Sequence, residues 1–287
     1  MKKSSFLFRK VVVVGLGLIG GSFALELKKR KLAREVFGVS RSSQNRRIAL
    51  KRKAVDQVFP ILGKFVSDAD LILLAIPVES IPQTLKKLKP FLSKEVLVTD
   101  VGSTKVNIVE AAHKLALRQF VGGHPIAGTE KSGMQAAELD LFRNKKWILT
   151  PSFSHPSLKK YVILLQKIGA QVLWMKAEEH DTSLAAVSHL PNVLAYALAN
   201  TMDGKDRDKN IRLAGSSLKG MTRVASSPPE MWRDICLANA KPLEKCLALF
   251  QKQLSEFQRA VKAKNAKKLQ TLFAKGNKFR KKLEIFK

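Results

Sequence analysis

Three glycines at Gly15, Gly17 and Gly20 and a histidine at His124 are the residues whose types and spacing best suit chemistry. The stretch GLGLIG at 15–20 follows four valines and opens a helix-compatible segment. In that setting Gly15 permits a tight turn, Gly17 lets the backbone approach a pyrophosphate, and Gly20 allows close packing of helix on strand. The helix N-terminus, entered through Leu18 and Ile19, favours an anion. His124 sits in GGHPIAGTEKSG at 122–133, read as a rigid loop, and Ser103 in TDVGSTK at 99–105. Both segments follow strand-like runs, at the edge where ligands of an open α/β sheet bind. A lone histidine is more often structural, but an imidazole in a rigid turn at that edge suits acid/base work.

These residues need a scaffold, and the first half of the chain has the pattern for one. Short apolar runs at 11–14, 36–39, 71–76, 96–99, 147–150 and 171–175 read as buried strands of a parallel sheet. Helical segments at 22–31, 81–88, 105–116 and 156–168 lie between them. After about Ala177 the strand-like runs stop, and 184–202, 230–254 and 257–283 each read as a helix, with a polar stretch at 203–210. Ser227, Pro228 and Pro229 supply a helix start, and Leu237, Leu243, Leu247 and Phe250 mark an apolar face. The expected architecture is α/β: a Rossmann-type doubly wound parallel sheet over 1–176, followed by an all-α domain over 177–287. No internal repeat is visible.

Composition narrows the function classes. Lys2 and Lys3 before an apolar stretch imitate a secretory signal, but Arg9 and Lys10 abut that stretch and four glycines interrupt it. No run reaches the ~18 apolar residues of a membrane span, so a cytoplasmic protein is expected. Cys236 and Cys246 stand apart without metal-ligand spacing, and no metal site is expected. The net charge of +29 raises nucleic-acid binding as a rival. The basic residues are spread along the chain, however, without a nucleic-acid-binding motif, and suit solvated helix faces or attraction of small anions.

The second strand of this fold normally ends in an acid that bonds the adenosine ribose. Here it ends in Ser40, Arg41 and Ser42, two hydroxyls and a guanidinium where a 2′-phosphate would sit. NADP is therefore favoured over NAD, although Arg41 could instead stack on adenine or face solvent.

GLGLIGGS, DVGSTK, GGHPIAGTEKSG, AVSHLPN at 186–192, MTRVASS at 221–227 and MWRDI at 231–235 follow one another in order. In these segments the chain resembles the prephenate dehydrogenase family, over nearly its whole length. The resemblance implies an oxidative decarboxylation of a cyclohexadiene, with hydride passing from C4 to the nicotinamide as carbon dioxide leaves C1. It implies that His124 accepts the proton of the C4 hydroxyl, that Ser103 bonds that hydroxyl and orients His124, and that Arg223 pairs with a substrate carboxylate. Thr129, His189 and Asn192 join Arg223 as implied substrate-binding residues. His189 reads equally well as a core histidine that buttresses the helix, and Trp232 as pocket floor or core filling. Many relatives read HLPH where this chain has His189-Leu190-Pro191-Asn192. Asparagine offers only neutral hydrogen bonds, which leaves arogenate, bearing an amino group in place of the keto group of prephenate, as an alternative substrate. The resemblance also implies a homodimer built through the helical domain, and no regulatory segment is expected after it. A related β-hydroxyacid dehydrogenase, with a lysine in place of His124, is the remaining enzymatic rival.

Overall fold

The computed structural model describes residues 6–129, 131–204 and 206–285. Packing divides the chain into two units, Met1–Asn239 and Ala240–Lys287.

The first unit begins with the alternation expected of βα units. Its elements are β1 (Phe8–Val14), α1 (Leu18–Lys29), β2 (Ala33–Val39), α2 (Ser43–Lys51), β3 (Gln57–Phe59), β4 (Leu71–Leu74), α3 (Ile81–Leu88), β5 (Leu97–Asp100), α4 (Val106–Lys114), β6 (Phe120–Pro125), β7 (Lys146–Pro151), α5 (Leu158–Lys167) and β8 (Gln171–Trp174). Among the described residues these strands form one sheet in the order β3-β2-β1-β4-β5-β6-β7-β8. The first six are parallel and follow the order of a dinucleotide-binding sheet, whose switch point lies between β1 and β4. β7 runs antiparallel to β6, and β8 follows β7. The sheet is thus mostly parallel rather than wholly so. Among the described residues, the connection from β6 to β7 carries a short 3-10 turn, Met134–Ala136, and no crossover helix of the kind that keeps successive strands parallel.

Burial on both faces explains the continuous apolar strands. Val11 and Val13 of β1, with Leu71 and Leu73 of β4, enter one core beside Phe23 and Leu27 of α1 and Tyr161, Leu164 and Leu165 of α5. Val12 and Val14, with Ile72 and Leu74, enter the opposite core beside Leu85 of α3 and Ile108 and Ala112 of α4. The two-residue period of the strand thereby feeds two cores at once.

β8 ends at Trp174 and the chain turns helical at Ala177, with α6 (Ala177–Leu184), a π-helical turn (Ala185–His189), α7 (Leu190–Met202), α8 (Arg207–Leu213), α9 (Ser216–Thr222) and α10 (Pro229–Ala238). Ala177 and Ile235 are buried in the second of the two cores, which is why packing groups these helices with the sheet. In the other unit, α11 (Ala240–Lys262) and α12 (Ala266–Ile285) pair through the rings of Phe257 and Phe273, 5.3 Å apart. The link between them passes through Lys264 in the left-handed region (φ 49°), and Asn265 caps α12 by accepting from Lys268 N.

The helices expected over 230–254 and 257–283 are therefore broken, at Asn239 and at Lys264. The first break changes the face that was expected to be buried. Leu243 is buried, but Leu237 (68 % exposed) and Phe250 face outward in the single chain.

Candidate active site

The glycine turn is built as the spacing requires. Gly15 has φ +98°, and a Cβ there would lie 2.0 Å from the carbonyl oxygen of Ala75 at the end of β4. Gly20 lies against Gly15 O, so any side chain would push α1 off the turn. Gly17, the residue that caps α1, has no atom within 4 Å of where a Cβ would stand. That open cradle at a helix N-terminus fits a pyrophosphate, and the half-buried Leu18 and Ile19 form its first helical turn.

At the end of β2, Ser40 N donates to Phe59 O (3.0 Å). Arg46 Nη1 donates to the carbonyls of Ser40 (2.7 Å) and Arg41 (2.9 Å), which fixes this turn while the Arg41 side chain stays exposed. Ser42 caps α2, accepting from Asn45 N (3.2 Å).

His124 stands on β6, near its carboxyl end, and not in a loop as the glycine-rich segment suggested. Glycines read as turn formers serve close approach here. A Cβ on Gly123 would lie 2.6 Å from Asp100 O, and one on Gly122 would lie 2.3 Å from Thr150 Oγ1. β6 therefore passes between β5 and β7 only because these two positions lack side chains.

From His124 a hydrogen-bond chain runs inward. His124 Nδ1 meets His180 Nε2 at 2.8 Å, and His180 Nδ1 meets Asp181 Oδ1 at 2.7 Å. Asp181 also accepts from the backbone N–H groups of Lys105 (2.7 Å) and Val106 (2.9 Å), at the start of α4. A carboxylate that takes donors from all sides makes His180 Nδ1 the donor and Nε2 an acceptor. His124 Nδ1–H then donates, and His124 Nε2 is left with its lone pair.

A second polar group holds the strand. Asp100, fully buried, accepts from Gly102 N (2.8 Å) and Gly123 N (2.9 Å) and pairs with the equally buried ammonium of Lys105. Lys105 Nζ also donates to Gly123 O (2.9 Å).

Burial above all, with His180, Lys105 and His189 as positive or potentially positive neighbours, holds His124 well below the ordinary imidazole range. Burial likewise lowers His180, against the pull of Asp181. It brings His189 down to about 4. All three rings are neutral at neutral pH.

His189 ends the π-helical turn and is buried. Asn239 Nδ2 donates both to Asp181 O (2.7 Å) and to His189 Nδ1 (3.0 Å), so the His189 proton sits on Nε2, a buried group with no hydrogen-bond partner. Its ring stands edge-on to Trp232 at 6.2 Å. Asn192 lies half-buried on α7, where its amide nitrogen donates to Ser188 O (3.0 Å).

Ser103 occupies the half-buried turn between β5 and α4, and no hydrogen bond joins it to His124. Thr129 is exposed beyond β6 and accepts from Lys131 N (3.2 Å). Arg223 is exposed and opens the 3-10 turn Arg223–Ser226, which packs against α7. Asp100, Lys105, His180, Asp181 and Asn239 were not singled out from the sequence. A His-Asp pair between the apolar Ala177 and Leu184, and an acid at a strand end, were the available signals.

The strand order, the open cradle at the switch point and a neutral histidine on the same carboxyl edge define the class: an oxidoreductase that uses a nicotinamide dinucleotide. Comparison with known proteins agrees. The family models described as prephenate dehydrogenase, nucleotide-binding domain, and prephenate dehydrogenase, dimerization domain, match residues 23–174 and 176–275. A prephenate dehydrogenase of Lactococcus lactis is 34 % identical over 285 residues, covering 97 % of this chain and 78 % of the relative. The crystal structure of A. aeolicus prephenate dehydrogenase with hydroxyphenyl propionate and NAD+ is 33 % identical, with a TM-score of 0.88 over 99 % of this chain and 100 % of that one. Synechocystis arogenate dehydrogenase is also 33 % identical, with a TM-score of 0.81 over 96 % and 99 %. The chain belongs to the prephenate dehydrogenase family.

Proposed function

We propose that this enzyme oxidatively decarboxylates prephenate to 4-hydroxyphenylpyruvate in tyrosine biosynthesis, with His124 as the base and NADP as the favoured dinucleotide. The observation that carries the reading is the Asp181–His180–His124 chain, which leaves an unprotonated Nε2 at the carboxyl edge of the sheet.

The nicotinamide ring, when bound, supplies the hydride acceptor. Gly15, Gly17, Leu18, Ile19 and Gly20 would hold its pyrophosphate, and Ser40, Arg41 and Ser42 the 2′-phosphate end. His124 Nε2 takes the proton of the C4 hydroxyl as hydride leaves C4 and the carbonyl forms. When C1 releases carbon dioxide its bonding pair enters the ring, the C4 oxygen becomes phenolate, and His124 returns the proton to it. Ser103 bonds the same hydroxyl, and Arg223 and Thr129 hold substrate carboxylates. His189 offers its buried Nε2–H to the substrate.

One observation favours arogenate as a second reading. Ser188 O takes one of the two N–H groups of Asn192 and so fixes the amide, whose oxygen can accept from an ammonium, whereas a keto group offers that oxygen no donor. The same proposal has the enzyme act in the cytoplasm as a homodimer joined through 177–287, the dinucleotide-binding part being 1–176. The description of the matched C-terminal model and the outward-facing Leu237, Leu249 and Phe273 support the dimer.

Steady-state kcat/KM for prephenate and arogenate, each with NADP and NAD, tests the whole reading. The prephenate–NADP pair should exceed the others. Turnover of none of the four combinations would refute the assigned activity, and a higher value with NAD would refute the role given to Arg41.

A further inference from the structure

We propose that Lys105 is a positioning residue for His124, because its side chain and its own backbone close a ring of hydrogen bonds around the histidine. This rests on the reading of His124 as the base.

The ring can be followed atom by atom. Lys105 Nζ donates to Gly123 O (2.9 Å), and Gly123 is joined by its peptide bond to His124. His124 Nδ1 bonds His180 Nε2 (2.8 Å), and His180 Nδ1 bonds Asp181 Oδ1 (2.7 Å). Asp181 Oδ1 accepts in turn from Lys105 N (2.7 Å), which returns the path to its start. The His180–Asp181 arm sets the ring nitrogen of His124, whereas the lysine ammonium sets the strand that carries it.

The strand needs that support at this point. The β5–β6 ladder ends at the Thr99–Val121 pair, so no backbone partner on the β5 side serves Gly123. The Asp100–Lys105 pair takes over: Asp100 Oδ1 accepts from Gly123 N (2.9 Å) and Lys105 Nζ donates to Gly123 O. A Cβ on Gly122 would stand 3.3 Å from Lys105 Cδ, so the lysine stem lies directly along β6. Both members of the pair are fully buried, and a buried ion pair contributes little net stability because desolvation offsets attraction. What it contributes here is geometry, and a fixed positive charge beside a ring that must stay neutral.

The groups that face His124 are His180 and Asp181 from α6, Asp100 and Lys105 from β5 and the following turn, and His189 from the π-helical turn. Of these Lys105 is the resident cation, and it opposes protonation of His124. Its removal should therefore raise the pH at which His124 gains a proton.

Lys105→Met tests this directly. The double variant Asp100→Asn/Lys105→Met removes both charges, so that no bare carboxylate is left buried if the single variant fails to fold. Each is measured for kcat, for dinucleotide KM, and for the titration of the His124 ring by NMR without substrate. A fall in kcat of about 10- to 100-fold with dinucleotide KM within about threefold is expected in both variants. The His124 midpoint should rise in Lys105→Met, and by less in the double variant, whose local charge is balanced. A folded variant with kcat within about threefold of the wild type, or a His124 midpoint that does not move in Lys105→Met, would overturn the assignment. His124→Asn, run in parallel, separates the two ideas. A near-normal rate there rejects His124 as base, whereas the NMR titration needs no turnover and reads Lys105 by itself.

Discussion

Asp181→Asn is the sharpest perturbation of the candidate site, because it changes one atom pair and reverses a chain of donors. In the wild type the carboxylate accepts from His180 Nδ1 (2.7 Å) and from the N–H groups of Lys105 and Val106 (2.7 and 2.9 Å). His180 Nδ1 and Lys105 N share Oδ1 whereas Val106 N takes Oδ2, so an asparagine that seats its one oxygen on Val106 N gives up the bond to Lys105 N and turns its NH2 group toward His180. His180 then accepts at Nδ1 and carries its proton on Nε2, so His124 must accept at Nδ1 and carry its own proton on Nε2. The nitrogen meant to take the substrate proton is then already protonated. In serine proteases an Asp-to-Asn change that imposes the wrong tautomer lowers kcat by about 10⁴. Here a second imidazole stands between the acid and the reacting nitrogen and relaxes part of the constraint, so kcat should fall by about 10²- to 10³-fold, or about 3–4 kcal/mol of barrier. Weakened capping of α4 should cost about 1 kcal/mol, a drop in Tm of about 2–4 °C. Steady-state turnover, thermal denaturation and ring-nitrogen chemical shifts of His124 check the three steps. A variant with kcat within about threefold of the wild type, or with the proton still on His124 Nδ1, would refute the donor chain.

Three further outcomes follow from the same geometry. The acid limb of kcat/KM, which reports the free enzyme, should lie below pH 6.5, since burial and positive neighbours lower His124 and activity is lost only as pH falls through that depressed value; a limb above pH 6.5 would contradict it. Gly17→Ala should raise dinucleotide KM by more than about tenfold with little change in Tm, because nothing crowds that Cβ until a pyrophosphate does; kinetics and denaturation of the one variant check both halves. His189, lowered to about 4 from the ordinary 6.5, makes the fold acid-sensitive. Above pH 6.5 the ring is neutral folded or unfolded. As pH falls below that value the unfolded ring takes a proton that the buried one refuses, so stability drops until about pH 4, by about 3 kcal/mol in all. Denaturant titrations from pH 7 to 4 should show this slope, and it should flatten in His189→Gln.

The parts of the molecule that sequence resolves are those governed by local pattern. Val11–Val14 and the glycines after them locate β1, the turn and α1, because a buried parallel strand and a phosphate-binding turn each carry their own signature. The run at 81–88 matches α3 to the residue, since Pro82 starts the helix and Leu85 and Leu88 give it one apolar face. β6 escaped because its glycines look like a loop until Thr150 and Asp100 are known to lie against them. Asn239 escaped for a similar reason. It interrupts a continuous helical pattern only because its side chain reaches Asp181 and His189, residues far off in sequence. The motifs nominated Ser103 and His124 as candidates, whereas nothing singled out His180 and Asp181, since a His-Asp pair on a helix acquires its meaning only from what stands opposite.

A strongly basic chain and a site of uncharged histidines fit one physical scheme. The charge of +29 would draw the small dianion of the proposed reaction toward the enzyme over a long range, where screening rather than contact sets the strength. Inside, the same abundance of cations would be harmful if it protonated the base, or useless if it protonated the rings that hold the base. Burial prevents both, and Lys105, a cation placed among them, is paired with Asp100 and works against protonation of His124. In the proposed mechanism substrate carboxylates then enter as negative charges beside a neutral imidazole. They raise its affinity for a proton at the moment when the C4 hydroxyl must give one up, so the base becomes strong only in the complex. The depressed basicity of His124 in the free enzyme is in this sense the condition for a large change on binding.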